Sequence, residues 1–380
     1  MTTSTLHTMK ARTWIKAALP VLMACLAAGA FWNLGGGRKD FYNNLWAPAY
    51  LLVRGGNAYD TSSLSPELPP LWLPPAVGVF APLGWLPEQA AARVWLLLSL
   101  AALAVMVFLR LAPNSSIPTI TLAGFMAFFF PPTVSHLVLG QFSILSALCC
   151  LLAAVCAARK RPWAEAFLLG LALAKPQLSF LAIAGLGFHH LRQESPAGAG
   201  RFGLHVGAAA LAMSLPVILV SRGWLQSLAS GFVRNPSWPH PSIVTFLRAW
   251  VPAWAWPLWG LALAAGLFTC WRLWSTLPPR EAMSWTLALT PLFSPYIWSW
   301  DFVLLLPAWI QVFSRVGWQS RVFLLLAYLA GWAGMAAIQF SADFSNLRFW
   351  WVPLWYPGAL AVIAWYDGVR NTGGGDERRP

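Results

Sequence analysis

Charged residues are scarce in this chain, and several of them stand together in one short stretch. Only 10% of the 380 residues are charged, yet Arg38, Lys39 and Asp40 follow one another directly. A carboxylate can accept a proton from a hydroxyl group, and neighbouring cations favour its ionised form. Asp40 is therefore predicted to be a catalytic base that Arg38 and Lys39 help keep charged. The alternative is a helix N-cap.

A lysine between two apolar segments is the second candidate. Lys175 lies in GLALAKPQLSF, and an ammonium at membrane depth costs roughly 2.5 to 3.5 kcal/mol unless it is paired or hydrated. Because that cost needs a compensating partner, Lys175 is predicted to be a phosphate ligand. A lysine that merely extends to the membrane interface is the alternative.

Other polar residues are predicted to join them in binding substrate. They are Arg234, His240, His136, Gln141 and Asp301, together with Arg38 and Lys39 beside the proposed base. The alternatives are an ordinary solvated loop for Arg234 and His240, structural hydrogen bonding for His136 and Gln141, and a helix cap for Asp301. One acid beside several cations indicates an anionic substrate. Because no acidic cluster suited to Mg²⁺ accompanies Asp40, we expect no metal and no other cofactor.

Composition limits the class of protein that can hold these residues. The chain is 58% hydrophobic with a mean hydropathy of +0.60, and apolar runs recur along its length. This predicts an all-α, polytopic membrane protein. The net charge of +13 lies in short clusters between the runs, which is typical of cytoplasmic loops and not of a nucleic-acid surface.

The apolar runs predict about 12 transmembrane helices with both termini in the cytoplasm. One domain is expected over residues 1–366, with external loops at 35–87 and 221–251, and a disordered cytoplasmic tail at 367–380. Apolar residues from Phe41 to Leu52 recur at helical spacing, which predicts an interfacial helix in the first loop. Seven prolines in residues 64–87 argue against a spanning helix there.

Two pairs of short segments are predicted to be broken helices. Residues 162–174 and 177–190 are each too short to span a bilayer, and they meet at Lys175 and Pro176. Residues 282–296 and 301–314 meet in the same way between Ser294 and Asp301.

Five motifs, taken in order, resemble glycosyltransferase family 87. They are RKDFYNNLWAPAYLLVRGGNAYD, LPPLWLPPAVGVFAPLGWLP, LVLGQFSIL, GLALAKPQ and SPYIWSWDFVLLLP, and the resemblance covers about residues 30–320. It implies a GT-C membrane fold, a polyprenyl-phosphate sugar donor, and Asp40 as the base. The chain departs from the family's mannosyltransferases at Trp300, Asp301 and Phe302, where those members tend to carry histidine, so the sugar and acceptor stay open.

The expected activity is a membrane glycosyltransferase that moves a mannose-like hexose or a pentose, with inversion, to a hydroxyl of a lipid or glycan acceptor. Glycolipid synthesis on the outer face of a bacterial inner membrane fits that chemistry. The expected partners are the polyprenyl-phosphate donor, the acceptor and membrane lipids, without nucleic acid. A secondary transporter and a non-catalytic lipid-binding assembly subunit are the alternatives.

Overall fold

The computed structural model describes residues 3–32, 38–64, 68–234 and 239–373, and within those ranges it is helical without strands. The helices are α1 (Thr3–Phe31), α2 (Lys39–Phe41), α3 (Ala47–Leu52), α4 (Pro74–Val79), α5 (Glu88–Arg110), α6 (Ile117–Phe128), α7 (Pro131–Leu139), α8 (Ser143–Ala158), α9 (Pro162–Ala172), α10 (Pro176–Gln193), α11 (Pro196–Val220), α12 (Trp224–Arg234), α13 (Ile243–Trp250), α14 (Ala255–Thr276), α15 (Pro279–Phe293), α16 (Leu306–Arg315), α17 (Trp318–Gln339) and α18 (Val352–Gly373). The all-α prediction is confirmed.

Among the residues that the structure describes, five helices are long and apolar enough to cross a membrane, and the bent pair α6 and α7 makes six if it is one span. The five segments are Trp14–Phe31, Glu88–Arg110, Pro196–Val220, Pro252–Thr276 and Trp318–Gln339. The predicted count of 12 is not confirmed. Several helices counted toward it are short: α9, with 11 residues, extends only about 16 Å, about half of a hydrocarbon core.

Helix α8 lies at the centre of the bundle, and 12 of its 16 residues are buried. It packs against α5, α9, α10 and α15. Its sequence, SILSALCCLLAAVCAA, is rich in small residues, which let neighbouring helices approach closely. The end of α8 that begins at Ser143 is therefore held firmly among its neighbours.

Both predicted helix breaks are present. Helix α9 ends at Ala172 and α10 begins at Pro176, where a proline is tolerated because the first helical N–H has no partner. Helix α15 ends at Phe293, and a 3₁₀ turn at Ser299–Leu305 leads into α16. The breaks place Lys175 and Asp301 next to each other.

The first loop differs from its prediction as a membrane-surface helix. Residues 39–52 are helical, with a π-helical segment at Tyr42–Trp46 between α2 and α3. Phe41 and Leu45 are fully buried, and the Phe41 ring stacks on Trp95 of α5 at 5.6 Å. The apolar side of this helix packs on protein because α5 offers it an aromatic partner.

The remaining loop predictions have mixed outcomes. Residues 64–87 contain no long helix, as their prolines predicted, and form α4 and a 3₁₀ turn at Ala81–Trp85 where the structure describes them. Helix α18 runs to Gly373, so residues 367–373 are helical where a disordered tail was predicted. Residues 374–380 lie outside the described residues.

Arginines lie at the end of α5 away from Trp95, which we call the arginine end. Arg110 donates from Nη1 to the Arg280 carbonyl oxygen at 2.6 Å, and Arg321 donates to Thr119 Oγ1 at 3.0 Å. Trp95, near the other end of α5, contacts the residues around Gln141. The arginines and the candidate site therefore occupy opposite ends of α5.

Close packing of α4 on α11 gives the first prediction. A Cβ at Gly78 would overlap the Met213 carbonyl oxygen, whereas a Cβ at Gly207, also on a helix, would meet nothing within 4 Å. Gly78→Ala should lower the apparent melting midpoint in detergent by the equivalent of about 1 to 3 kcal/mol, because α4 and α11 must separate. Gly207→Ala should melt at the wild-type temperature or above, since alanine favours helix. Equal midpoints for the two variants would contradict this packing.

Candidate active site

A cavity of about 680 Å³ opens where the first loop meets the start of α10 and the segment before α16. Its polar side is lined by Lys39, Asp40, Asn44, Gln141 and Lys175. Three residues predicted to form the site, namely the acid, the lysine and the glutamine, therefore share one cavity.

Side-chain hydrogen bonds join these residues into a chain. Gln141 donates from Nε2 to Asp40 Oδ2, and its Oε1 accepts a hydrogen bond from Lys175 Nζ at 2.7 Å. Lys175 Nζ also lies 3.2 Å from Asp301 Oδ1, forming an ion pair. One glutamine thus spans the distance between the carboxylate of Asp40 and the ammonium of Lys175. We call this chain of four residues the polar relay.

Asp301 acts as the counter-ion of Lys175 and does not line the cavity. Its side chain is fully buried, and Oδ1 also accepts a hydrogen bond from Ser143 Oγ. Oδ2 accepts one from the backbone N–H of Trp298 at 3.0 Å, which caps the turn Ser299–Leu305. The helix-cap alternative for Asp301 is confirmed. Its oxygens are occupied by protein groups, and its contact with substrate stays a prediction.

A glycine in a left-handed conformation brings Gln141 to Asp40. Gly140 ends α7 with a φ of +71°, a value that favours glycine. A Cβ at this position would also strike Phe41, so the turn approaches α2 more closely than a larger residue would allow. Trp95 Nε1 donates to the Gly140 carbonyl oxygen at 2.9 Å and holds the turn in place.

Burial raises the pKa of Asp40 to about 6, while Lys175 and the Gln141 hydrogen bond act in the opposite direction. The sequence had assigned the stabilising role to Arg38 and Lys39. Arg38 is instead buried away from the cavity, where Nη2 donates to the Phe31 carbonyl oxygen at 3.1 Å. Lys39 is exposed and lines the cavity. The side chain of Arg38 thus turns back toward α1 and does not line the cavity, whereas that of Lys39 does.

The other predicted ligands lie elsewhere. His136 is fully buried in α7, which packs on the turn Ser299–Leu305, and it does not line the cavity. His240 packs behind the cavity wall, with its ring 4.7 Å from that of Tyr296 and Nε2 3.1 Å from Thr245 Oγ1. Neither histidine lines the cavity, and substrate contact by either one stays a prediction. The side chain of Arg234 lies outside the described residues.

Sequence reasoning missed the aromatic part of the cavity. Tyr296, Trp298 and Trp300 line it together with Gln177 and Asn346. The motif SPYIWSWDF contains the three aromatic residues at every second position, a spacing that could have marked one side of an extended strand-like segment. Asn346 comes from a segment that no motif connected with the site.

The buried ion pair gives a prediction about stability. Asp301→Asn should leave the Lys175 ammonium buried without a counter-ion, at a cost of about 3 to 5 kcal/mol. Adding Lys175→Met should recover a large part of that loss, so the apparent melting midpoints of the single and double variants should not be additive. Glu281→Gln breaks the more exposed pair with Arg315, at 2.8 Å, and should cost about 1 kcal/mol or less. Additive losses from Asp301→Asn and Lys175→Met would contradict the pairing.

Comparison with known proteins identifies the family. No curated protein sequence matches the chain. The family model of glycosyltransferase family 87 matches residues 72–295, more than half of the chain. That range contains Gln141 and Lys175, while Asp40 precedes it and Asp301 follows it. The chain with this cavity and polar relay therefore belongs to glycosyltransferase family 87.

Proposed function

We propose that this glycosyltransferase moves a sugar from a polyprenyl-phosphate donor to a hydroxyl of a lipid or glycan acceptor. The reaction takes place on the outer face of a bacterial inner membrane, with the arginine end in the cytoplasm, as the distribution of basic residues favours. The observation that carries the proposal is the link through Gln141 between a carboxylate and an ammonium in one cavity.

Asp40 serves as the general base. Gln141 holds Oδ2, whereas Oδ1 accepts no hydrogen bond from any described residue and belongs to a side chain that lines the cavity. Oδ1 takes the proton of the acceptor hydroxyl while that oxygen forms its bond to the anomeric carbon. The bond from the anomeric carbon to the donor phosphate breaks, and its electrons pass to the phosphate oxygen. A single displacement of this kind inverts the anomeric centre.

Lys175 stabilises the phosphate that leaves. An ammonium has three N–H donors, and two of those of Lys175 are directed to Gln141 and Asp301. The third is available to a phosphate oxygen in the cavity. The donor phosphodiester carries one negative charge and the released monoester carries more, so a fixed cation gains importance as the bond breaks. Lys39, exposed at the same cavity, adds a second positive charge.

The remaining side of the cavity suits the lipid portion of the donor. Leu68, Pro69, Leu71 and Phe232 line it, and Phe232 is 53% exposed. An exposed phenylalanine beside prolines and leucines offers an apolar path from the bilayer to the phosphate. We assign the polyprenyl chain to this side, which we call the apolar mouth.

Replacing the base should greatly slow sugar transfer and leave donor binding intact. Asp40→Asn should lower the rate of sugar transfer by about 10² to 10⁴, the usual contribution of a general base. Binding of the polyprenyl-phosphate donor should persist, because Lys175 and the apolar mouth are unchanged. The measurement is product formed from a panel of polyprenyl-phosphate sugars in proteoliposomes, detected by mass spectrometry.

The matched control is Asp60→Asn. Asp60 is an exposed carboxylate of the same loop that accepts a hydrogen bond from Ser62 Oγ at 2.8 Å, outside the cavity. It should transfer sugar at the wild-type rate. Transfer retained by Asp40→Asn would remove Asp40 as the base.

The raised pKa of Asp40 predicts the pH dependence. Below about pH 6, kcat/KM should fall about tenfold per pH unit, because only the carboxylate accepts a proton. The contribution of Asp40 to the free energy of unfolding should have the opposite pH dependence, because its folded-state pKa is raised. This contribution is fully present below about pH 4 and is lost as the pH rises through about 6. The melting midpoint of Asp40→Asn should lack that decline. A kcat/KM profile that is level through pH 6 would contradict the assignment.

A further inference from the structure

One wall of the cavity is built from aromatic rings, and the proposed transfer chemistry does not use it. Tyr296, Trp298 and Trp300 form this aromatic wall. The indoles of Trp298 and Trp300 stack with centroids 4.9 Å apart and planes 11° apart. We infer that this wall is a saccharide subsite in which a pyranose ring stacks on Trp300. The inference rests on the proposed function and names the substrate class that this part of the site takes.

The wall is rigid before any ligand arrives. Trp298 is 8% exposed and donates from Nε1 to the Tyr296 hydroxyl at 2.7 Å. His240 packs behind both rings, 6.0 Å from Trp298. Trp300 stacks on Trp298, lines the cavity and is only half-buried. A ligand that stacks on Trp300 therefore meets a ring already held in place, which lowers the entropic cost of binding.

The polar relay connects this wall to the reacting groups. Asp301 accepts the backbone N–H of Trp298 at Oδ2 and pairs with Lys175 at Oδ1. The same carboxylate therefore positions both the ammonium and the backbone that carries the indoles. A sugar on Trp300 lies in the cavity that Asp40 and Lys175 also line.

The chemistry of the wall suits a neutral ring with an apolar face and a polar rim. Aromatic faces carry partial negative charge, which attracts the weakly positive C–H groups of a pyranose. Two amides stand beside the wall, those of Asn346 and Gln177. Asn346 Oδ1 accepts a hydrogen bond from Ser299 Oγ at 2.8 Å. Neither the NH₂ group of Asn346 nor the amide of Gln177 makes a hydrogen bond with any described residue. These amides can donate to or accept from sugar hydroxyls.

A polyprenyl chain fits this wall less well than a sugar does. An apolar ligand would cover the amides of Asn346 and Gln177 without replacing their hydrogen bonds to water, and unsatisfied buried amides are costly. The apolar mouth offers a surface without that penalty. The cavity thus divides into a lipid side and a sugar side, with Lys175 lining the same space.

Binding without turnover tests the inference separately from the chemistry. In an Asp40→Asn background reconstituted in nanodiscs, methyl glycopyranosides should bind and show saturation-transfer signals from the ring C–H face. Trp300→Ala should weaken that binding about tenfold, Trp300→Phe less, and Gln177→Ala a few-fold. Trp350→Ala is the matched control, because Trp350 is 42% exposed, packs on Phe246 and lies outside the cavity. It should bind the glycosides as the parent does.

Transfer kinetics in the otherwise wild-type chain identify the source of the sugar. If the subsite holds the acceptor, Trp300→Ala should raise the KM for a glycan acceptor about tenfold and leave that for the donor unchanged. If it holds the donor sugar, the donor KM should rise instead. Either result supports the subsite, and kcat should change less than KM.

Two outcomes would overturn the inference. In the first, Trp300→Ala and Trp350→Ala bind methyl glycosides equally well, and Gln177→Ala also has no effect. In the second, sugar-free polyprenyl phosphate is the ligand whose binding depends on Trp300.

Failure of the proposed function looks different: Asp40→Asn would still transfer sugar, or no polyprenyl-phosphate donor would be used, while glycoside binding through Trp300 persisted. Trp300→Phe and Gln177→Ala keep the test valid if Trp300→Ala melts far below the parent.

Discussion

The buried ion pair between Lys175 and Asp301 is the interaction on which the site depends. An ammonium inside a helical bundle is costly unless a counter-ion or water stabilises it, and Asp301 approaches it to 3.2 Å. Neither residue could reach the other from within an unbroken helix of the bundle. Lys175 lies in the gap between α9 and α10, and Asp301 lies in the 3₁₀ turn before α16. The two helix breaks therefore share one structural effect, which is to bring these two charges into contact.

The pair also sets the electrostatics of the proposed base. Lys175 donates hydrogen bonds both to the carboxylate of Asp301 and to the neutral amide of Gln141. The same ammonium lowers the pKa of Asp40, as does the Gln141 hydrogen bond, and both oppose the rise in pKa that burial causes. When a phosphate arrives, the same ammonium has a donor left for it. One cation can thus hold the base in position, keep it ionisable and stabilise the leaving group.

The cavity places chemically different surfaces around that cation. Aromatic rings and the amides of Asn346 and Gln177 stand on one side, and leucine, proline and phenylalanine stand on the other. Three members of the polar relay, namely Asp40, Gln141 and Lys175, also line the cavity. The proposed substrate, made of a sugar, a phosphate and a lipid, has the same three kinds of surface. The rigid packing of Trp298 and its backbone hydrogen bond to Asp301 mean that the arrangement exists before binding.

Local patterns in the chain were sufficient for part of this description. Hydrophobic runs predicted an all-α membrane protein, short runs with a proline predicted the break at Lys175, and the scarcity of charge drew attention to Asp40 and Lys175. These properties depend on neighbouring residues along the chain, so composition and spacing report them. The number of spanning helices was less accessible, because an apolar run does not say whether its helix faces lipid or, like α8, packs inside the bundle.

Only the tertiary structure decided which polar residues meet. Asp40 and Gln141 are 101 positions apart and Lys175 and Asp301 are 126 positions apart, so no local period connects them. Arg38, next to Asp40 in sequence, turns away toward α1, while Gln141 and Lys175 take the role expected of it. His136 and His240 are similarly removed from the cavity by the packing of α7 and of the aromatic wall. Side-chain direction and contacts between distant segments decide such pairings, and both arise only when the helices pack.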